Sequence, residues 1–195
     1  MGEAGDRRTL LMLLFIGGAA RTGKGILARR LLAEMQLPYL SLDVLKMGLT
    51  RGVPEYAIDP DAGAMQVADR LWPLVREMSR NLLADGVNYV MEGEIIPRHV
   101  AALRETYPEQ INACFLGYST IMPAQKLHEI RMHAGYPNDW AQSYADADLL
   151  TVITREIAFS QYVQAECARY HFRYFDTSRQ FMPTLDEVVA YVRGM

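Results

Sequence analysis

The stretch Gly18-Ala19-Ala20-Arg21-Thr22-Gly23-Lys24 sets two glycines and a lysine at the spacing G-x-x-x-x-G-K. It follows the apolar run Leu10–Ile16 and opens a segment of helical period. In that setting the chemistry is phosphate binding. Glycines let successive backbone N–H groups turn inward into a concave nest, the start of the helix adds partial positive charge, and the lysine reaches the β- and γ-phosphates. The nucleotide-binding residues expected from the motif are Gly18, Ala19, Ala20, Arg21, Thr22, Gly23, Lys24, Gly25 and Ile26. One position departs from the pattern. The residue after the lysine is normally Ser or Thr, whose hydroxyl binds Mg²⁺; here it is Gly25. A water or a carboxylate must then stand in for it, or the metal binds weakly.

The same letters fit a second pattern. Gly23-Lys-Gly25-Ile-Leu-Ala28 reads G-x-G-x-x-A, with Asp43 further on, which is a dinucleotide fingerprint. In that fingerprint the first glycine comes directly off the strand, whereas Gly17 to Thr22 separate the apolar run from Gly23. The long loop favours the phosphate cradle; a Gly-rich turn of purely structural purpose is the remaining reading.

Charged residues stand at the ends of the next short apolar runs. Asp43 closes Tyr39-Leu-Ser-Leu, and ligands of open parallel sheets lie beyond such strand ends. Its position and charge suit a base, although Asp43 or Ser41 could equally cap a helix. Lys46 and Arg51 follow, either to hold an anionic acceptor or as solvated surface charges. Glu92 and Glu94 close the third run, where two carboxylates could simply cap a strand, and Arg98 comes soon after. Arg131 precedes an irregular segment, 133–144, with Lys126 and Arg155 on the flanking helices. His128 and His133 read as cap or surface residues. Tyr136 and Trp140 either stack on an acceptor ring or anchor the loop. Asp176-Thr177-Ser178-Arg179 reads as an Asx-type turn.

The elements that must position these groups alternate. Strands are expected near 10–16, 38–42, 87–91, 111–116 and 172–175. Helices are expected over 24–35, 63–85, 97–106, from 123 to 132 and from 146 to 170. Pro73 should kink or split the second of these, since it lacks an N–H and crowds the preceding turn. Thr184-Leu-Asp-Glu187 has capping-box spacing and should start a last helix to about Arg193. Alternating strands and helices imply an α/β fold, a parallel sheet with helices on both faces. One domain spanning 1–195 is expected, with a loose tail over 1–8 and a lid loop over 133–144.

Composition narrows the function classes. With 20 basic and 23 acidic side chains the net charge is −3, which argues against broad nucleic-acid binding while leaving room for a local basic pocket. Cys114 and Cys167 are far apart with no CxxC, so neither a disulfide framework nor a zinc site is expected, and a reducing cytoplasm is the expected setting. The apolar run at 10–16 is too short to span a bilayer, which takes about 20 residues, and signal cleavage at Ala19-Ala20 would cut the glycine loop. No membrane partner is expected. Neither a D-x-x-G nor an N-K-x-D motif occurs, so a GTPase switch is not expected.

On the glycine loop, Asp43, Glu92-Gly93 and the basic segment near Arg131, the chain resembles the P-loop kinases of the nucleoside-monophosphate-kinase type. These include shikimate and gluconate kinases, chloramphenicol phosphotransferase, zeta toxin and 2-phosphoglycerate kinase. The stretch Glu92-Gly93-Glu94-Ile-Ile-Pro97-Arg98 is similar to the Glu-Gly…Pro stretch of the last. The resemblance implies a three-layer fold with strand order 2-3-1-4-5, ATP and Mg²⁺ as cofactors, and a small-molecule acceptor. It implies that Asp43 holds the acceptor hydroxyl and takes its proton, that Glu92 orients Mg²⁺ through water, and that Arg131 clamps the transferring phosphoryl group. It further implies that Arg98, with Lys46, Arg51 and Glu94, faces the acceptor and that Arg179 stacks by the adenine. The function so implied is ATP-dependent phosphotransfer to a small hydroxyl or phosphate acceptor. The alternative is a degenerate P-loop module that binds nucleotide with little turnover.

Overall fold

The computed structural model describes residues 13–133 and 139–195. The tail over 1–8, residues 10–12 of the first apolar run and Tyr136 of the irregular segment lie outside the described residues. Five strands form one parallel sheet: β1 (Leu13–Gly18), β2 (Tyr39–Ser41), β3 (Tyr89–Glu92), β4 (Ile111–Gly117) and β5 (Arg173–Asp176), in the order β2-β3-β1-β4-β5. Seven α-helices accompany them among the described residues: α1 (Lys24–Met35), α2 (Leu42–Gly52), α3 (Ala64–Ala84), α4 (Pro97–Thr106), α5 (Pro123–Met132), α6 (Asp146–Tyr170) and α7 (Phe181–Arg193).

Strand alternation divides the core. Leu13, Phe15, Met91 and Phe115 face one side of the sheet with Leu71, Val100 and Val163 from α3, α4 and α6. Leu14, Ile16, Val90, Cys114 and Leu116 face the other with Leu27, Leu31, Leu185 and Val189 from α1 and α7. A third cluster, Ile130, Ala141, Leu149 and Ile153, seats the end of the irregular segment against α5 and α6. Burial on both faces is what the continuous apolar runs of the sequence require.

Register brings the chemistry to one edge. Ile16 of β1 and Ser41 of β2 both pair with Glu92 of β3, so the glycine loop, Asp43 and the Glu92-Gly93-Glu94 turn leave the sheet side by side. The Gly93 N–H donates to the Ile16 carbonyl at 3.1 Å, tying the β3 exit to the β1 exit.

Two local expectations are corrected. Helix α3 is not split at Pro73, which forgoes only the bond to the Asp69 carbonyl; burial of Leu71 and Val75 on either side holds the helix together. Helix α7 starts at Phe181, not Thr184. Pro183 falls in its first turn, where a missing N–H loses nothing, so the helix begins earlier. The Thr184 hydroxyl donates to the Gln180 carbonyl at 2.6 Å instead of capping.

Candidate active site

The loop between β1 and α1 has the shape its sequence requires. Gly18 has φ +120°, and a β-carbon there would strike the Leu116 carbonyl of β4. Gly23 has φ +90°, with Phe181 2.8 Å from where a β-carbon would sit. Arg21 also takes the left-handed conformation, φ +60°. Thr22 is buried, and its hydroxyl donates to the Ala19 carbonyl at 2.9 Å. Lys24 arches back over the loop: its Nζ donates to the carbonyls of Gly18 at 3.1 Å and Ala19 at 2.6 Å. The ammonium is thus held inside the cradle that the loop forms.

A carboxylate is already in that cradle. Ala20 N–H donates to Glu156 Oε2 at 2.7 Å, and Glu156, on α6, is only 8% exposed. Glu156 also lines a cavity of about 320 Å³ between the start of α3 and α6, with Met65, Arg155, Phe159 and Tyr162 around it. The cavity and the loop therefore share one side chain. Beside the loop, Lys126 of α5 is buried with its Nζ 4.4 Å from the centre of the Tyr118 ring and 5.9 Å from that of Phe181. Burial pulls its pKa below the usual lysine value; Glu129 opposes that and the nearby Arg21 adds to it. Sequence reasoning named Lys126 only as an alternative and passed over Glu156.

On the other flank three charges interlock. Lys46 Nζ lies 2.9 Å from Asp43 Oδ1 and 3.2 Å from Glu94 Oε2. The reading of Lys46 as a solvated surface charge is corrected: its side chain is 11% exposed, paired with Glu94 from the turn after β3. Burial alone would lower the Lys46 pKa, and the two carboxylates more than offset this. The Asp43 side chain is 63% exposed; partial desolvation would raise its pKa, but Lys46, with Lys24 adding, holds it below the ordinary carboxylate value. Glu94 goes the other way. Burial pushes it up to about 7, helped by the Asp43 charge and opposed by Lys46 and Lys24. Asp43 is not the helix cap; Ser41 holds that position, without a side-chain bond.

The remaining expected residues are more dispersed. Arg131 is spent on its own segment: it donates to the Asp146 carboxylate at 2.8 and 3.0 Å, to the Ala141 carbonyl at 2.8 Å and to the Tyr144 carbonyl at 2.6 Å. Arg98 donates to Asp69 at 2.6 and 2.9 Å and to the Tyr162 hydroxyl at 2.6 Å; Tyr162 lines the cavity and Arg98 does not. Arg21 reaches across to Asp139 at 2.7 and 3.0 Å, joining the glycine loop to the irregular segment. Arg51 and Arg179 are exposed. Asp176 accepts from the Ser178 N–H at 2.8 Å, the Asx turn, and from Ser119, which staples the β5 exit to the β4 exit.

No family model and no curated protein matches the chain by sequence. Solved structures do match in shape. A gluconokinase from Sinorhizobium meliloti superposes with a TM-score of 0.58 at 14% identity, over 94% of this chain and 92% of that one. A shikimate kinase from Bacteroides thetaiotaomicron gives 0.57 at 15%, over 93% and 98%. A protein from Eubacterium ventriosum, of no stated activity, gives 0.55 at 12%, over 94% and 99%. The fold is that of the P-loop kinases.

Within this P-loop fold Glu92 is the residue that fits a metal. It is 5% exposed, and its carboxylate has no hydrogen bond or ion pair among the described residues. Its Oε1 lies 3.9 Å from where a β-carbon of residue 25 would be, facing the space that glycine leaves open. No group of three or more His, Cys, Asp or Glu among the described residues is arranged to hold a metal alone. A lone carboxylate suits Mg²⁺, which keeps several waters and takes its other ligands from phosphate oxygens. No helix among the described residues is long and apolar enough to cross a membrane.

Proposed function

We propose that the chain is a single-domain, ATP-dependent phosphotransferase that moves the γ-phosphate to the hydroxyl or phosphate of a small molecule. What carries this reading is one juxtaposition: a P-loop with its lysine in the cradle, beside an ionised Asp43 held by a buried Lys46–Glu94 pair. The loop N–H groups and Lys24 bind the β- and γ-phosphates and meet the charge that shifts during transfer. Asp43 orients the acceptor hydroxyl, and the Asp43–Lys46–Glu94 group takes its proton. A proton acceptor with a pKa near the working pH is the most effective one, which suits Glu94 at about 7. Glu92 would hold Mg²⁺ through water, and the metal would supply positive charge to the phosphates.

On the opposite side the clamp passes from Arg131 to Lys126. Lys126 is the cation of α5 nearest the loop by its neighbours Tyr118, Phe181 and Arg21. Arg131 instead holds the base of the lid. Binding of nucleotide phosphate would displace Glu156 from the Ala20 N–H and free it toward the cavity, where the acceptor would lie.

The test is ATP consumption against a panel of small hydroxyl- and phosphate-bearing metabolites, with Lys24→Ala as the blank. The expected result is turnover with a subset of the panel, abolished in the blank. Tight ATP binding with no turnover on any acceptor would return the chain to a nucleotide-binding module.

A further inference from the structure

The feature that departs most from the motif is Gly25, and what surrounds it is specific. A β-carbon at residue 25 would lie 3.8 Å from Arg29 Nη1 and 3.9 Å from Glu92 Oε1. These are ordinary contact distances, so the two charged groups border the volume from which a Ser or Thr hydroxyl would serve a metal. Arg29 is one helical turn beyond Gly25, on the same face of α1. Helical side chains lean toward the N-terminus, which carries this guanidinium back toward the phosphate end of the helix.

Its neighbour shows the contrast. Arg30 is held outward by Asp186 at 2.8 Å and Glu34 at 3.4 Å. Arg29 is exposed and forms no hydrogen bond or ion pair among the described residues, not even with Glu92 across the gap. A cation and a buried, unpartnered carboxylate thus face one another across a space left by a missing side chain. A guanidinium offers planar paired donors suited to phosphate oxygens.

We propose that Arg29 is a phosphate-binding residue of the nucleotide site, and that its guanidinium takes over part of the charge neutralisation that a metal-bound hydroxyl at position 25 would provide. This rests on the nucleotide-site reading above. Gly25 is then an opening for Arg29, and nucleotide binding depends less on Mg²⁺ than in a loop ending in Ser or Thr.

The experiment is calorimetric titration of the full chain with ATP, once in Mg²⁺ and once in EDTA, for the wild type, Arg29→Ala, Arg29→Lys and Gly25→Ser. The wild type is expected to bind in EDTA within a few-fold of its affinity in Mg²⁺. Arg29→Ala is expected to lose about tenfold or more in EDTA, the scale of a lost charged hydrogen bond, and clearly less in Mg²⁺. Arg29→Lys should recover part of that loss, and Gly25→Ser should widen the gap between the two conditions. Because Arg29 is exposed, the melting temperature of Arg29→Ala should match the wild type. Equal losses in both conditions, or none, would overturn the role of Arg29 while leaving the nucleotide site intact. A wild type that binds no ATP in either condition would overturn the nucleotide site and this inference together.

Discussion

The two flanks of the glycine loop use charge in opposite ways. On the β2–β3 flank, Asp43, Lys46 and Glu94 share too few partners. One lysine serves two carboxylates, Glu94 is driven to about 7, and Glu92 next to them has no partner among the described residues. On the α5–α6 flank the two arginines that meet the irregular segment are saturated. Arg131 meets one carboxylate and two backbone carbonyls, and Arg21 meets both oxygens of Asp139. A buried charge without full compensation is costly in a fold that does not use it, while a saturated one is ordinary architecture. The first flank is therefore where chemistry is expected. The second is where the irregular segment is held in place, with Lys126 and Glu156 as its two members turned toward the loop.

The largest effect should come from the centre, common to both flanks. Lys24→Ala should lower phosphotransfer by about 10³-fold or more, the range seen when a charge-stabilising group is removed, with the melting temperature little changed. Asp43→Asn comes next, with a loss of about 10²-fold or more in turnover and little change in ATP affinity, the size of a general-base contribution. If Asp43→Asn turned over at the full rate, the uneven charge of that flank would be structural and the contrast would fail.

How these groups appear in the sequence follows from how locally they are built. The glycine loop is a run of consecutive residues between a strand and a helix, and it was legible together with Gly25. Asp43, Glu92 and Glu94 were legible as acids at strand ends, since parallel strands leave a sheet on one side. Lys46 was not, because its burial depends on Glu94, 48 residues away. Glu156 did leave a mark: Leu149, Ile153, Glu156, Ser160, Val163 and Cys167 recur every three or four residues, and all are buried. A carboxylate on the apolar stripe of a helix signals a buried partner, though which one depends on the fold. The partners of Arg131 were not legible: two of its four bonds go to the Ala141 and Tyr144 carbonyls, in and just after the 3-10 turn Trp140–Ser143, which no side-chain pattern announces.

Glu94 offers a test by pH. With its folded value near 7 and an ordinary value of 4.5, the folded chain binds more protons than the unfolded one between those limits. Stability contributed by the protonated form is therefore lost as pH rises through that window. Glu94→Gln should remove this slope, so that its melting temperature gains on the wild type from pH 5 to 7.5. In kinetics, wild-type turnover should rise through an apparent pKa near 7, and the rise should vanish in Glu94→Gln. A rise that persists in that variant would assign the proton to another group.

The smallest catalytic effect separates the flanks most cleanly. If Arg131 only holds the base of the irregular segment, Arg131→Gln should leave turnover within about threefold of the wild type. The variant uncouples Asp146 and leaves the Ala141 and Tyr144 carbonyls with fewer donors, one of them beside the Ile130–Ala141–Leu149–Ile153 cluster. Losing hydrogen bonds of this kind costs about 1–2 kcal/mol. In a chain of this size that lowers the melting temperature by roughly 2–8 °C. Lys126→Gln should do the reverse, reducing turnover by about tenfold or more through lost phosphate contact, while relieving a buried ammonium and so leaving stability unchanged or higher. Measured together, the two variants set a stability loss without a rate loss against a rate loss without a stability loss. If instead Arg131→Gln stopped turnover at an unchanged melting temperature, the arginine would leave its carbonyls during the reaction, and the saturated flank would be the catalytic one.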